Sequence, residues 1–281
     1  MKRMRFMKVK IYKTASGNIH FWINDIDPVK PSLVFLPGLT ADHRLFGKQI
    51  EYFESRRNVF VWDAPGHGLS WPFTFDYGLM GVAKWLHSIL EREKILHPVI
   101  IGQSMGGHLG QAFTELYPDR LKGFIAINST PLQRKHMTSR ELWFLKRMKT
   151  IYRLYPWNSL LKIASKGVAV TDYGQKLMYD MMMTYVEDPS RNRQVAGHGF
   201  KIMADAIDKD LAYAFKCPAL LICGAADRIK SIKRYNEAWH IESQIPLHRI
   251  KGAGHNANTD QPEIVNNLID TFMKKLENTP V

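Results

Sequence analysis

Five short apolar runs constrain this chain more than any other feature: SLVFL at 32–36, NVFVWD at 58–63, VIIG at 99–102, FIAIN at 124–128 and ALLICG at 219–224. Each stops at Gly, Pro or a polar residue. Runs this short, apolar without alternation, suit strands covered on both faces, as in the middle of a parallel sheet. Residues 19–24 (IHFWIN) alternate like a strand, and 247–250 add a last one. Between the runs the apolar period changes to that of a helix. Residues 77–93 place Leu79, Val82, Leu86, Ile89 and Leu90 on one face. Residues 105–117 form a second helix, stopped by Pro118, and 232–241 and 262–276 follow the later strands, the last with proline in its first turn. The alternation predicts an α/β fold: a mostly parallel central sheet flanked by helices.

One region breaks the rhythm. Residues 131–211 offer no strand and four helical stretches, at 138–155, 158–165, 174–186 and 191–206. The expected organisation is therefore a core in two parts, 1–130 and 212–281, with a helical cap inserted at 131–211. The insert is rich in aromatics and methionines. Each can simply pack locally. As a set, some are expected to line a pocket against the sheet, and Trp143, Phe144, Trp157, Met178 and Met182 are the candidates.

Ser104 sits in Gly102-Gln103-Ser104-Met105-Gly106, directly after one apolar run and directly before a helix. Alone, Gly-x-Ser-x-Gly arises by chance in about one chain in ten of this length. The context raises it. A serine at the tip of a strand-turn-helix is forced into a strained backbone, and residues with side chains two positions either side would collide. A serine hydroxyl needs a base. Among eleven histidines, His255 stands out, in the loop KGAGHNANTDQPE between the last strand and the last helix. A base needs a carboxylate partner. Asp227, just past the run 219–224, lies at the end of a strand; its alternative role is a helix N-cap. An oxyanion needs two donors. Met105 N–H follows the nucleophile, and Leu39 N–H lies in the loop LPGLTAD after the third strand.

These segments resemble the α/β-hydrolase fold superfamily, of the type that carries a helical cap. The matching residues are the Ser104 elbow, Pro37-Gly38-Leu39-Thr40, Asp63-Ala64-Pro65-Gly66-His67-Gly68, Gly224-Ala225-Ala226-Asp227 and Gly254-His255. The resemblance implies a serine hydrolase that cleaves an ester or related acyl bond through an acyl-enzyme, with Ser104, His255 and Asp227 as the triad. The same fold also serves C–C bond hydrolysis, acyl transfer, cofactor-free oxidation and small-molecule reception. Two positions depart from the family. Pro37 stands where His is common. Gln103 stands where His is frequent, and is expected to point away from the chemistry. His67 is expected to hold its own loop rather than act as the base.

Composition excludes little but helps. The chain of 281 residues carries a formal charge of +13, with basic and acidic residues interleaved and no nucleic-acid motif. No run approaches the length of a membrane span, and the basic start MKRMRFMKVKIY lacks the apolar stretch of a secretory signal. Cys217 and Cys223 are expected six apart in one strand, too far to bridge, which suits a reducing, cytoplasmic setting. No cofactor and no metal is expected, and the expected partner is a small, apolar substrate.

Overall fold

The computed structural model describes residues 6–278. Among them, eight strands form one sheet: β1 (Lys8–Thr14), β2 (Gly17–Ile23), β3 (Ser32–Leu36), β4 (Asn58–Trp62), β5 (Val99–Gln103), β6 (Gly123–Ile127), β7 (Ala219–Gly224) and β8 (Leu247–Ile250). Their spatial order is β1-β2-β4-β3-β5-β6-β7-β8. β1 and β2 pair antiparallel, as do β2 and β4; every other pair is parallel. The helices are α1 (Gly47–Phe53), α2 (Leu79–Arg92), α3 (Met105–Leu116), α4 (Ser139–Leu154), α5 (Trp157–Lys166), α6 (Asp172–Met182), α7 (Pro189–Asp208), α8 (Lys230–Ser243), α9 (Ala257–Asp260) and α10 (Pro262–Asn278).

The unbroken apolar runs are explained by burial on both faces. Side chains alternate across a strand. Leu33, Phe35, Val59, Val61, Ile101 and Ile125 join the core beneath α1 and α10, whereas Val34, Phe60, Ile100 and Phe124 join the core with α2 and α3. Burial of that kind stabilises the fold by about 25 cal/mol per Å² of apolar surface taken out of water. Four helices, α4 to α7, are inserted between β6 and β7. The strand β7 begins at Ala219, after Pro218. Cys217 therefore lies outside the strand in which it was expected, and both cysteines are free.

The parallel strands all end on one edge, and the loops there are tied together. Asp63, after β4, accepts from the backbone N–H groups of His43 (2.8 Å) and Leu69 (2.7 Å) and from His43 Nδ1 (2.8 Å). Asp42 is occupied by Arg44, whose Nε lies 2.9 and 3.1 Å from its two oxygens. Asp42, His43 and Asp63 lie close enough together for a metal site. These bonds instead give the trio a structural task, pinning the loop after β3 to the loop after β4. His67 also braces its own loop, with Nδ1 3.1 Å from the Pro65 carbonyl oxygen.

Candidate active site

Ser104 links β5 to α3 with φ 50° and ψ −117°, a backbone region that L-residues rarely adopt. Its neighbours hold it there. Ser104 N–H donates to the Ile127 carbonyl at 2.9 Å, and the Ser104 carbonyl accepts from Ser129 Oγ at 2.8 Å. The flanking glycines are required by close approach. A Cβ on Gly102 would overlap the backbone of Gly106 and Gly107, and one on Gly106 would overlap the Leu36 carbonyl.

Asp227 lies in the loop after β7, its side chain fully buried. Oδ2 accepts from His255 Nδ1 at 2.9 Å and from Asn128 Nδ2 at 2.8 Å, while Oδ1 accepts from Ile229 N–H at 2.9 Å. The last contact braces the turn before α8, but the N-cap of that helix is Ile229, so the helix-capping alternative for Asp227 does not hold. Burial pushes the carboxyl up, but the imidazole, the Ile229 N–H and the Asn128 amide outweigh it, and the net shift is downward. The group stays ionised at neutral pH. His255 is 7% exposed. With Nδ1 engaged by Asp227, Nε2 is the nitrogen left for proton transfer.

Ser104, His255, Leu39 and Met105 line one cavity of about 220 Å³. Met105 is the first residue of α3, so its N–H has no carbonyl one turn back to bond. Gly38 lets the Leu39 loop lie against the elbow, because a Cβ there would strike the Gln103 side-chain oxygen and stand 3.2 Å from Ser104 Cβ. Gln103 departs from expectation. It lines the cavity and its amide donates to the His255 carbonyl (3.1 Å) and to Asn256 Oδ1 (3.0 Å), so it ties the His255 loop to the Ser104 turn.

The inserted helices supply the rest of the wall, chiefly Tyr152, Leu160, Met178, Phe200 and Met203. Of the five insert candidates, Met178 lies there. Trp143 and Phe144 are 55% and 52% exposed, because α4 buries only Leu142; the Arg147 guanidinium stacks 3.7 Å from the Trp143 ring. Trp157 and Met182 stand outside the cavity wall; Met182 is fully buried elsewhere, its sulfur 3.6 Å from Asn192 Nδ2. The insert is stitched to the base loop: Asp260 accepts from Val170 N–H, Thr171 N–H and Gly254 N–H at 2.8–3.1 Å.

Two site residues escaped the sequence reading. Asn128, directly after β6, donates to Asp227 and accepts from Gly224 N–H at 3.2 Å. A polar residue ending an apolar strand was the available signal. His108, one turn into α3, lines the cavity. Its Nε2 lies 2.9 Å from Thr130 Oγ1, and its Nδ1 is buried without a partner. Burial, with help from nearby His255, pushes its pKa down to about 4.

Comparison with known proteins fits this arrangement. The model of the alpha/beta hydrolase fold family matches residues 31–262. The chain belongs to that family. It is 22% identical over 253 residues to 3-oxoadipate enol-lactonase 2 of Acinetobacter baylyi, covering 88% of this chain and 90% of the relative. It is 20% identical over 266 residues to monoacylglycerol lipase ABHD6 of Mus musculus, covering 89% and 77%. Among solved structures, it resembles an esterase from Thermogutta terrifontis with a TM-score of 0.72 at 21% identity, over 96% of this chain and 98% of that one. The lactonase and the lipase are hydrolases, and among the described residues no helix is long and apolar enough to cross a membrane.

Proposed function

We propose that this hydrolase is a serine esterase of small to medium apolar substrates, working through a Ser104–His255–Asp227 triad. The observation that carries the reading is His255, bonded to buried Asp227, in the same apolar cavity as a serine on a strained elbow. Ser104 Oγ attacks the substrate carbonyl carbon while His255 Nε2 takes its proton. The resulting oxyanion is held by the N–H groups of Leu39 and Met105. His255 then protonates the leaving alcohol, and the acyl group stays on Ser104. Water, deprotonated by the same nitrogen, attacks the acyl-enzyme and releases the acid. Asp227 fixes the tautomer and stabilises the imidazolium between the two steps.

Substrate size follows from the cavity. At about 220 Å³ it lies below the common range of drug-sized sites, roughly 300–1,000 Å³. Helices α4 to α7 act as the cap in this reading, and Met178 and Met203 give the wall unbranched, adaptable side chains. The relatives' lactone and monoacylglycerol substrates are acyl esters of compatible chemistry. Two free cysteines fit work in the reducing cytoplasm.

Labelling with a fluorophosphonate, on wild type beside Ser104→Ala and His255→Ala, tests the assignment. Wild type alone should label. Turnover of p-nitrophenyl esters by Ser104→Ala should fall on the order of 10³-fold or more. Near-normal turnover in that variant refutes the triad.

A further inference from the structure

A second, smaller cavity of about 20 Å³ lies behind the first. Among the described residues, Met105 is the one that lines both. Helix α7 borders both as well: Val195, His198 and Ile202 line the second, Phe200 and Met203 the first. The second cavity is walled mostly by apolar groups. Yet three of its residues carry a buried ring nitrogen with no hydrogen-bond partner: Trp62 Nε1, His67 Nε2 and His198 Nε2. A buried polar atom that stays unpaired destabilises the fold. Three of them around one small space call for an occupant.

Chemistry and the observed contacts say what the three nitrogens can offer. An indole N–H can only donate. His67 Nδ1 faces the Pro65 carbonyl and must carry the proton, which leaves Nε2 a bare acceptor. A neutral His198 can carry its proton on Nδ1, which leaves its Nε2 an acceptor as well. Burial keeps both imidazoles neutral, with the pKa of His198 pushed down to about 4. One donor and two acceptors match a single oxygen. By count of bonds a water can serve all three, accepting once and donating twice. A hydroxyl accepts from Trp62 and donates to one imidazole. The volume agrees, since one water-sized centre needs about 10–15 Å³.

We infer that this second cavity is a subsite for a substrate hydroxyl, reached from the catalytic cavity when the Met105 side chain turns aside. The inference rests on the esterase reading. The partition suits the task. Beyond Cβ, methionine places three unbranched heavy atoms on freely turning bonds. Their displacement leaves room for about three substrate carbons, with water filling the polar end when no hydroxyl does. Selectivity comes from the three nitrogens. A methyl group in place of the hydroxyl would strand the Trp62 N–H and both imidazoles in a dry pocket, and sites built to bond a hydroxyl reject analogues that lack it.

Two ester series test this by acid release in a pH-stat. One is the butanoate monoesters of linear diols of two to six carbons; the other is the methyl esters of ω-hydroxyalkanoic acids. Each is run against the isostere with a methyl group in place of the terminal hydroxyl. At one chain length, wild type should prefer the hydroxyl by at least about tenfold in kcat/KM. Trp62→Phe should bring that ratio to within about twofold of unity, and Met105→Ala should raise kcat/KM for the hydroxyl ester of that length or a longer one. If Trp62→Phe does not fold, His198→Phe and Met105→Ala carry the test. Ratios near unity at every length, in wild type and Met105→Ala alike, overturn the subsite while fluorophosphonate labelling of Ser104 leaves the esterase reading standing. Neither labelling nor hydrolysis of any ester refutes the esterase reading itself, and the subsite falls with it.

Discussion

Buried His108 makes stability depend on pH in a predictable window. The residue is 5% exposed, and burial with the neighbouring His255 lowers its pKa to about 4 from an ordinary value of 6.5. The folded-state pKa lies below the unfolded one. Between the two values the unfolded chain binds the proton and the native chain does not, so stability rises with pH there and falls on acidification. The contribution is complete above pH 6.5 and is lost as pH drops towards 4. Moving from pH 7.5 to 4.5 should cost wild type about 2.5 kcal/mol through this one residue, at about 1.36 kcal/mol per pKa unit. His67 and His198 are shifted in the same direction and add to the loss in wild type. The measurement is therefore a difference. Urea unfolding of wild type and His108→Asn is followed at several pH values across that window. The variant pays a fixed packing cost at every pH, and that cost cancels. The gap between the two proteins should close by about 2.5 kcal/mol on acidification. Parallel curves, with a gap that pH does not change, would refute the account of His108 as a neutral buried imidazole.

Three further substitutions probe the supports of the site. Asn128→Leu removes the 2.8 Å amide bond to Asp227 and strands the Gly224 N–H, so stability should fall by about 2 kcal/mol or more in chemical unfolding. Gln103→Ala frees the base loop from the elbow. It should lower kcat for p-nitrophenyl esters about tenfold with little change in KM, because the lost bonds position His255 rather than bind substrate. Asp227→Asn presents an amide to His255 Nδ1 and favours the wrong tautomer; kcat should drop by about 10⁴ at neutral pH with the fold intact by circular dichroism.

The parts of the molecule legible in the sequence are those where one local rule decides the outcome. The central strands were legible because two-sided burial demands unbroken apolar residues. Ser104 was legible because the Gly102 and Gly106 contacts are enforced over four residues of chain. His255 and Asp227 were legible by their place after β8 and β7, since ligands gather at the carboxyl ends of parallel strands. Edge strand β1 gave a weaker signal: Val9 and Ile11 alternate with lysines, but both stay exposed and no unbroken apolar run marks the strand. The short α1 likewise reads as a loop until Ile50 and Phe53 are seen in the core.

The insert shows where local rules stop. Trp143 and Tyr152 lie on the same helix, nine residues apart, and composition treats them alike. Tyr152 lines the cavity that holds Ser104 and Trp143 faces out, because α4 packs along α7 and that pairing decides which face turns inward. The choice belongs to the tertiary fit of two helices, and amphipathicity is too weak in α4 to announce it, with a single buried residue in sixteen. The same holds for the three unpaired nitrogens of the second cavity. Trp62 ends β4, His67 lies five residues on and His198 sits in α7, 136 positions from the first. Each reads in sequence as an ordinary core or loop residue. Only folding brings one donor and two acceptors to a common space behind Met105. A family resemblance points to the candidate site, and in the proposed reading substrate choice lies in convergences of this kind, between the sheet edge and the helices laid over it.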